Sequence, residues 1–263
     1  MNDQPSNAKP GNEKTVTACL LIIGNEILSG RTVDANLPYL AKKLNELGIR
    51  LAEVRVVSDS ETAIVKAVNE TRALYDYVFT TGGIGPTHDD ITSGCVAKAF
   101  GTVLERHPEA VRRLERHYPP GALNDARLRM AEIPVGASLI DNPVSTAPGF
   151  RIGNVFVMAG VPRIMQAMFD GIAPQLVGGK PMLTRSVSCT LGEGMLAKGL
   201  GEIQARHAQV EIGSYPYYRV GGFGVSLVAR GTDAAALDRV AQEIAALVTQ
   251  LGGTPVLDNA GAG

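Results

Sequence analysis

The chain has 263 residues, 45% hydrophobic and 19% charged, enough to bury one large core or two smaller ones, and two domains are expected. A formal net charge of -1 and a pI near 6.4 give no bulk attraction to nucleic acid or to an anionic membrane, so the expected partner is a small molecule. Cys19, Cys95 and Cys189 are odd in number, far apart and set in apolar runs, and no run approaches about 18 apolar residues; disulfide framework, zinc site and membrane span are all excluded, and reduced thiols in a cytoplasmic protein are expected.

Residues 1 to 15, rich in Asn, Pro, Gly and charge, read as a disordered tail. Thr17 to Ile23, TACLLII, is a continuous apolar run ending at Gly24, the pattern of a parallel strand buried on both faces. Beyond Gly24-Asn25-Glu26, the residues Leu37, Leu40, Ala41, Leu44 and Leu47 fall at helical spacing, and Gly48 stops the pattern. Leu51 to Val57 predicts a second strand. Ser58-Asp59-Ser60-Glu61 then spells an S-x-x-E capping box for a helix with Ile64, Val65 and Val68 on its inner face.

Tyr77 to Thr80 is a third strand, and it runs into Thr80 to Thr92, TTGGIGPTHDDIT, ahead of a helical pattern at Ile91, Cys95, Val96 and Ala99. Gly82, Gly83 and Gly85 let the backbone approach a ligand, and the helix start beyond them offers unpaired N–H groups, so the loop suits a phosphate. His88, Asp89 and Asp90 follow at once. Carboxylates beside a phosphate repel it unless a metal ion lies between them. An ordinary tight turn with one capping carboxylate is the competing reading, though capping needs neither two Asp nor this density of glycine. Neither GxGxxG nor GxxxxGK[ST] is present.

Residues 107 to 133 predict a charged, solvated helical stretch broken at Pro119-Pro120-Gly121, and 142 to 150 a turn-rich loop before a strand at Val155 to Met158 and a helix from about Pro162. Strand–helix alternation implies a mostly parallel sheet covered on both faces. Such sheets bind ligands at the carboxyl ends of their strands, where Asn25 and Glu26, Asp59, and the Gly82 to Asp90 loop all fall. A boundary is expected near Gly178-Gly179-Lys180-Pro181. After it, Leu183 to Thr190, Val210 to Tyr215 and Gly224 to Arg230 read as strands, Met195 to Arg206 and Asp233 to Leu251 as helices, together a small α+β domain. Gly221-Gly222-Phe223-Gly224 has the GxxG letters of a KH loop but no surrounding lysines, and no nucleic-acid partner is expected.

Gly24-Asn25-Glu26-Ile27-Leu28, Ser29-Gly30, Asp34-Ala35-Asn36, Thr81-Gly82-Gly83-Ile84-Gly85-Pro86-Thr87-x-Asp89-Asp90, Asn142-Pro143-x-x-Thr146-Ala147-Pro148-Gly149 and Gly160-Val161-Pro162 together resemble the competence/damage-inducible protein A (CinA) family. The resemblance spans residues 16 to 178, as a three-layer αβα domain similar to the molybdopterin-binding proteins MogA and MoaB and part of MoeA, and residues 181 to 258, as a KH-type CinA domain. It implies two activities. One is a divalent-metal-dependent pyrophosphatase (Mg, Mn or Co) that splits ADP-ribose or a similar dinucleotide into AMP and a sugar phosphate; the other is binding or adenylylation of molybdopterin, or silent binding alone. It also implies a homo-dimer, catalytic roles for Asp90, Asp59 and Glu26, metal binding by Asp90 and Asp89, and ligand contacts from Thr81, Gly82, Gly83, Gly85, Asn25, Ser29, Asp34, Asn36, Thr146 and Pro148. Family members often carry a further domain that deamidates nicotinamide mononucleotide; the sequence stops at Gly263, and that activity is expected to be absent. Ala35 stands where the family commonly has Thr, which removes one hydroxyl.

Overall fold

A computed structural model describes residues 15–219 and 222–258, so the expected tail, apart from Thr15, lies outside the described residues. The chain divides into two compact units at Gly179/Lys180. Among the described residues no helix is long and apolar enough to cross a membrane.

The first unit is a six-stranded sheet between two helical layers. Strands β1 (Val16–Ile23), β2 (Ile49–Val57), β3 (Tyr77–Thr81) and β8 (Val155–Met158) are parallel, in the order β2-β1-β3-β8, and β7 (Gly149–Ile152) and β6 (Ser138–Ile140) extend it antiparallel. Alternate residues of β1 serve opposite layers. Ala18, Leu20 and Ile22 pack with Leu40 and Leu44 of α2 (Asn36–Glu46) and Met165, Met168 and Phe169 of α7 (Pro162–Ile172), whereas Cys19, Leu21 and Ile23 pack with Ile64 and Val68 of α3 (Glu61–Leu74) and Cys95 and Val96 of α4 (Thr92–Ala99). A strand apolar on both faces is what the run TACLLII requires.

Local chemistry corrects several boundaries. The cap of α3 is Ser60, whose Oγ accepts from Ala63 N at 3.4 Å; Ser58 and Glu61 do not form the expected box, and Asp59 stands outside the helix. The stretch 107 to 133 is not one broken helix. It opens after β4 (Leu104–Arg106) as α5 (Pro108–His117), continues through α6 (Asp125–Leu128) and a 3-10 turn, and returns as β5 (Glu132–Pro134), which pairs antiparallel with β4. Ala110, Leu114 and Ala131 give this excursion a small core of its own. Its ends are clasped, Val135 N donating to Val103 O at 2.9 Å and Thr102 Oγ1 to Val135 O at 3.3 Å.

The second unit runs β9 (Leu183–Cys189), α8 (Glu193–Arg206), β10 (Glu211–Arg219), β11 (Gly222–Gly231), α9 (Ala234–Gln250), β12 (Val256–Asp258), with α1 being the short Asn25–Leu28 turn of the first unit. Its strands are antiparallel in the order β10-β11-β9-β12, the split βαβ arrangement. Of the GxxG letters, Gly222, Phe223 and Gly224 open β11, and Gly221 lies outside the described residues.

Candidate functional site

Four loops leave the carboxyl ends of the parallel strands and are stitched to one another. Gly24 N donates to Val57 O at 3.2 Å and Asn25 N to Asp59 Oδ2 at 2.8 Å, joining the β1 and β2 loops; Gly82 N donates to Met158 O at 3.1 Å, joining the β3 and β8 loops. Asn36 Nδ2 donates to Gly160 O at 2.8 Å, tying the start of α2 to the same edge. Chain order reverses direction between β1 and β3, so this is the crevice where open α/β sheets hold ligands.

The glycine loop is shaped by close contacts. Gly82 (φ +102°) and Gly83 (φ +68°) are left-handed, and a Cβ would stand 2.2 Å from Ile23 O at the first and 2.1 Å from Thr92 Oγ1 at the second. Thr92, buried at the start of α4, donates its hydroxyl to Gly82 O at 3.0 Å and its N–H to Gly83 O at 2.9 Å. Gly82 is thereby corrected as a phosphate donor, because its N–H is spent on β8. The N–H groups of Gly83, Ile84 and Gly85 have no acceptor among the described residues, and α4 has no side-chain cap, so Ser93 and Gly94 add uncapped donors.

Asp90 folds back over this loop. Its Oδ2 accepts from Thr87 N at 2.8 Å and from the Thr87 hydroxyl, and the carboxylate lies where a Cβ on Gly85 would be, 2.6 Å away. Asp90 Oδ1 is left for other work. The carboxylate of Glu26 likewise occupies the space above Gly24, 2.5 Å from a Cβ built there. A cleft of about 430 Å³ opens beside the loop, lined among others by Glu61, Gly85, Asp90, Ser93, Arg129 and Glu132. Glu61 Oε1 pairs with Lys98 Nζ at 2.5 Å, and Cys95 closes the wall as a buried thiol that burial pushes up to about 11.

Thr81 Oγ1 and Asn36 Oδ1, both buried near this edge, have no partner among the described residues. Each unpaired buried group costs about 1–3 kcal/mol, so both sites favour a polar ligand or water.

The expected residues divide into those that face this edge and those consumed by the fold. Asn25, Glu26, Asp59, Thr81, Gly83, Gly85, Asn36 and Asp90 converge. Asp34 gives one oxygen to the fold, its Oδ2 accepting from Leu37 N at 2.7 Å in the first turn of α2, and Ser29 Oγ donates to Glu26 O at 3.2 Å. Asp59 is a backbone acceptor for α1 through one oxygen. His88 and Asp89 stand exposed on the loop, 4.0 Å apart. Thr146 and Pro148 belong to the loop before β7, where Thr146, at φ +70°, lies 3.0 Å by its Oγ1 from His117 Nδ1 and Pro148 is buried. Glu61, Ser93, Gly94, Arg129 and Glu132, which line the cleft, were not anticipated as site residues. Arg129 and Glu132 sit in a charged run that has the look of a solvated face, and only three-dimensional placement distinguishes them.

Among the described residues no three His, Cys, Asp or Glu side chains are grouped to hold a metal ion. Single carboxylates with a free oxygen, as at Asp90, fit a hard cation of the Mg²⁺ kind, which takes one or two carboxylates and completes its shell with water and substrate phosphate oxygens.

Residues 19–178, more than half of the chain, match the family model described as a probable molybdopterin binding domain, and residues 181–252 match the model of the FAD synthase middle domain. A protein of Pyrobaculum calidifontis is 36% identical over 211 residues, covering 76% of this chain and 80% of its own. A protein named "Probable FAD synthase" from Caenorhabditis briggsae is 33% identical across 79% of this chain, and a CinA-like protein of Syntrophus aciditrophicus 37% identical across 75% of it. The chain spans 44% and 50% of the lengths of those two relatives. Among solved structures, the CinA protein of Thermoplasma acidophilum superposes with a TM-score of 0.58 at 34% identity, over 62% of this chain and 99% of that one.

Proposed function

Since the chain belongs to the molybdopterin-binding-domain family and is CinA-like, we propose that it is a dinucleotide pyrophosphatase, hydrolysing ADP-ribose, FAD or a similar substrate to AMP and the other nucleoside or sugar phosphate. The observation that carries this reading is the convergence of the Gly83–Gly85 donors with Asp90, Asp59 and Glu26 at one sheet edge. Free N–H groups of the loop and of Ser93 and Gly94 bind the bridged phosphates. Asp90, oriented by Thr87 and Gly85, holds the attacking water through Oδ1 and takes its proton as the water oxygen bonds to one phosphorus and the P–O–P bridge breaks. A divalent ion, bound by Asp89 and reached by Asp90 through water, would supply charge neutralisation on the phosphates. The names of the longer relatives, which include FAD synthase, support a nucleotide with two phosphoryl groups as the ligand class. We also place the protein in the cytoplasm, in keeping with three buried free cysteines.

Incubation with ADP-ribose, FAD and NAD across Mg²⁺, Mn²⁺ and Co²⁺ is expected to release AMP from at least one of them. Asp90→Asn then loses on the order of 10²-fold or more in rate while retaining binding. Molybdopterin binding or adenylylation is the second reading, favoured by the family description itself; tight molybdopterin binding with no AMP release from any of the three substrates selects it.

A further inference from the structure

We propose that His117 is a ligand contact for the half of the substrate that lies beyond the cradled phosphate, held in position by Thr146. The inference rests on the dinucleotide reading above and adds to it a specificity residue from the excursion.

The register places this pair. Thr81 of β3 pairs with Met158 of β8, and Phe150 of β7 with Val157, so the loop 141–148 enters β7 level with the end of β3 and at the same edge as the glycine loop. It stands two strand spacings from β3, roughly 10 Å. That is too far for the phosphate seated at Gly83–Gly85 and suits the second phosphate or the sugar attached to it.

The pair is also built. Asn142, buried, accepts from Val144 N and Ser145 N and donates to Ala147 O, which holds the loop in the turn that puts Thr146 at φ +70°. A β-branched residue is strained there, and such strain persists where surrounding structure over-determines it. Thr146 Oγ1 engages His117 Nδ1 at 3.0 Å, and Tyr118 meets the imidazole edge-on with ring centres 5.0 Å apart. Tyr118 is itself backed by the Arg127 guanidinium, 4.3 Å from the ring centre. One nitrogen of His117 is thus fixed. The other, Nε2, belongs to an exposed side chain and has no partner among the described residues, so in either tautomer it is the atom offered to a ligand hydroxyl or phosphate.

The test compares a whole ligand with its near half. Calorimetry with Mg²⁺ present uses AMP and the ADP-ribose analogue in which a methylene replaces the bridging oxygen. His117→Ala is expected to weaken the analogue about tenfold and leave AMP within a factor of about two. Thr146→Ala should behave likewise, the double variant no worse than either single, and Thr146→Ser like the wild type; Thr146→Ala also serves should His117→Ala fail to fold. Equal weakening of both ligands, or of neither, overturns the assignment. A wild type that cleaves ADP-ribose alongside an unaffected His117→Ala sinks this inference alone, whereas a wild type that binds neither ligand sinks the pyrophosphatase reading with it.

Discussion

Gly83 illustrates how much a single hydrogen atom can hold in place. At φ +68°, with Thr92 Oγ1 filling the space of a Cβ, Gly83→Val meets both a strained backbone and the side chain that clamps the start of α4. The substitution should abolish nucleotide binding and cost about 1–3 kcal/mol in stability, read by calorimetry and by thermal melting monitored by circular dichroism. Unchanged affinity would remove the phosphate cradle from Gly83. The tight backbone of the glycine loop was legible from sequence, because three glycines in four positions are costly to explain otherwise. Asp34 has a second use that residue type alone does not reveal, one of its oxygens accepting from a backbone N–H three residues on. Gly82 is a subtler case, since its conformation follows from its type but the partner of its N–H depends on a strand 76 residues further on.

At the level of elements, the long periodic segments were readable and the short ones were not. Strands β4 to β7 have three or four residues each, too few for an alternation pattern, and they are paired by neighbours rather than by propensity. The seam between β2 and α3 shows an interaction invisible to periodicity. Arg55 binds Glu53 at 2.6 Å and Glu70 at 2.5 Å, and Tyr75 donates to Glu53 at 2.5 Å. Hydrogen bonds from Arg55 and then Tyr75 hold the Glu53 carboxyl below its ordinary 4.5. A depressed carboxyl binds fewer protons folded than unfolded, so its contribution is present above about pH 4.5 and is lost as pH falls through the folded value. Urea midpoints of the wild type should therefore fall more steeply below that pH than those of Glu53→Gln. Parallel curves would show that the network adds nothing to acid stability.

For the whole molecule, the division at Gly179/Lys180 was readable because two glycines and a proline interrupt every pattern there, whereas the hydrogen-bonded order of the sheets was not, since it depends on pairings across most of the chain. We propose that the protein is a dimer, and light scattering should return about 55 kDa, twice the 27.7 kDa of one chain; a mass near 27.7 kDa at every concentration would overturn this. The clasped excursion from Val103 to Val135 bears on how such a molecule can diverge. Its two ends meet along the β4–β5 ladder and the two hydrogen bonds beyond it, its small core also touches Leu139 of β6 and Ala147, and it lends Arg129 and Glu132 to the wall of the cleft. Lengthening a closed loop is cheap, about 0.6 kcal/mol for each doubling, so the turns between β4 and β5 can change in size at little cost. On the reading proposed above, substrate range can then vary with the length of this segment while the glycine loop is kept.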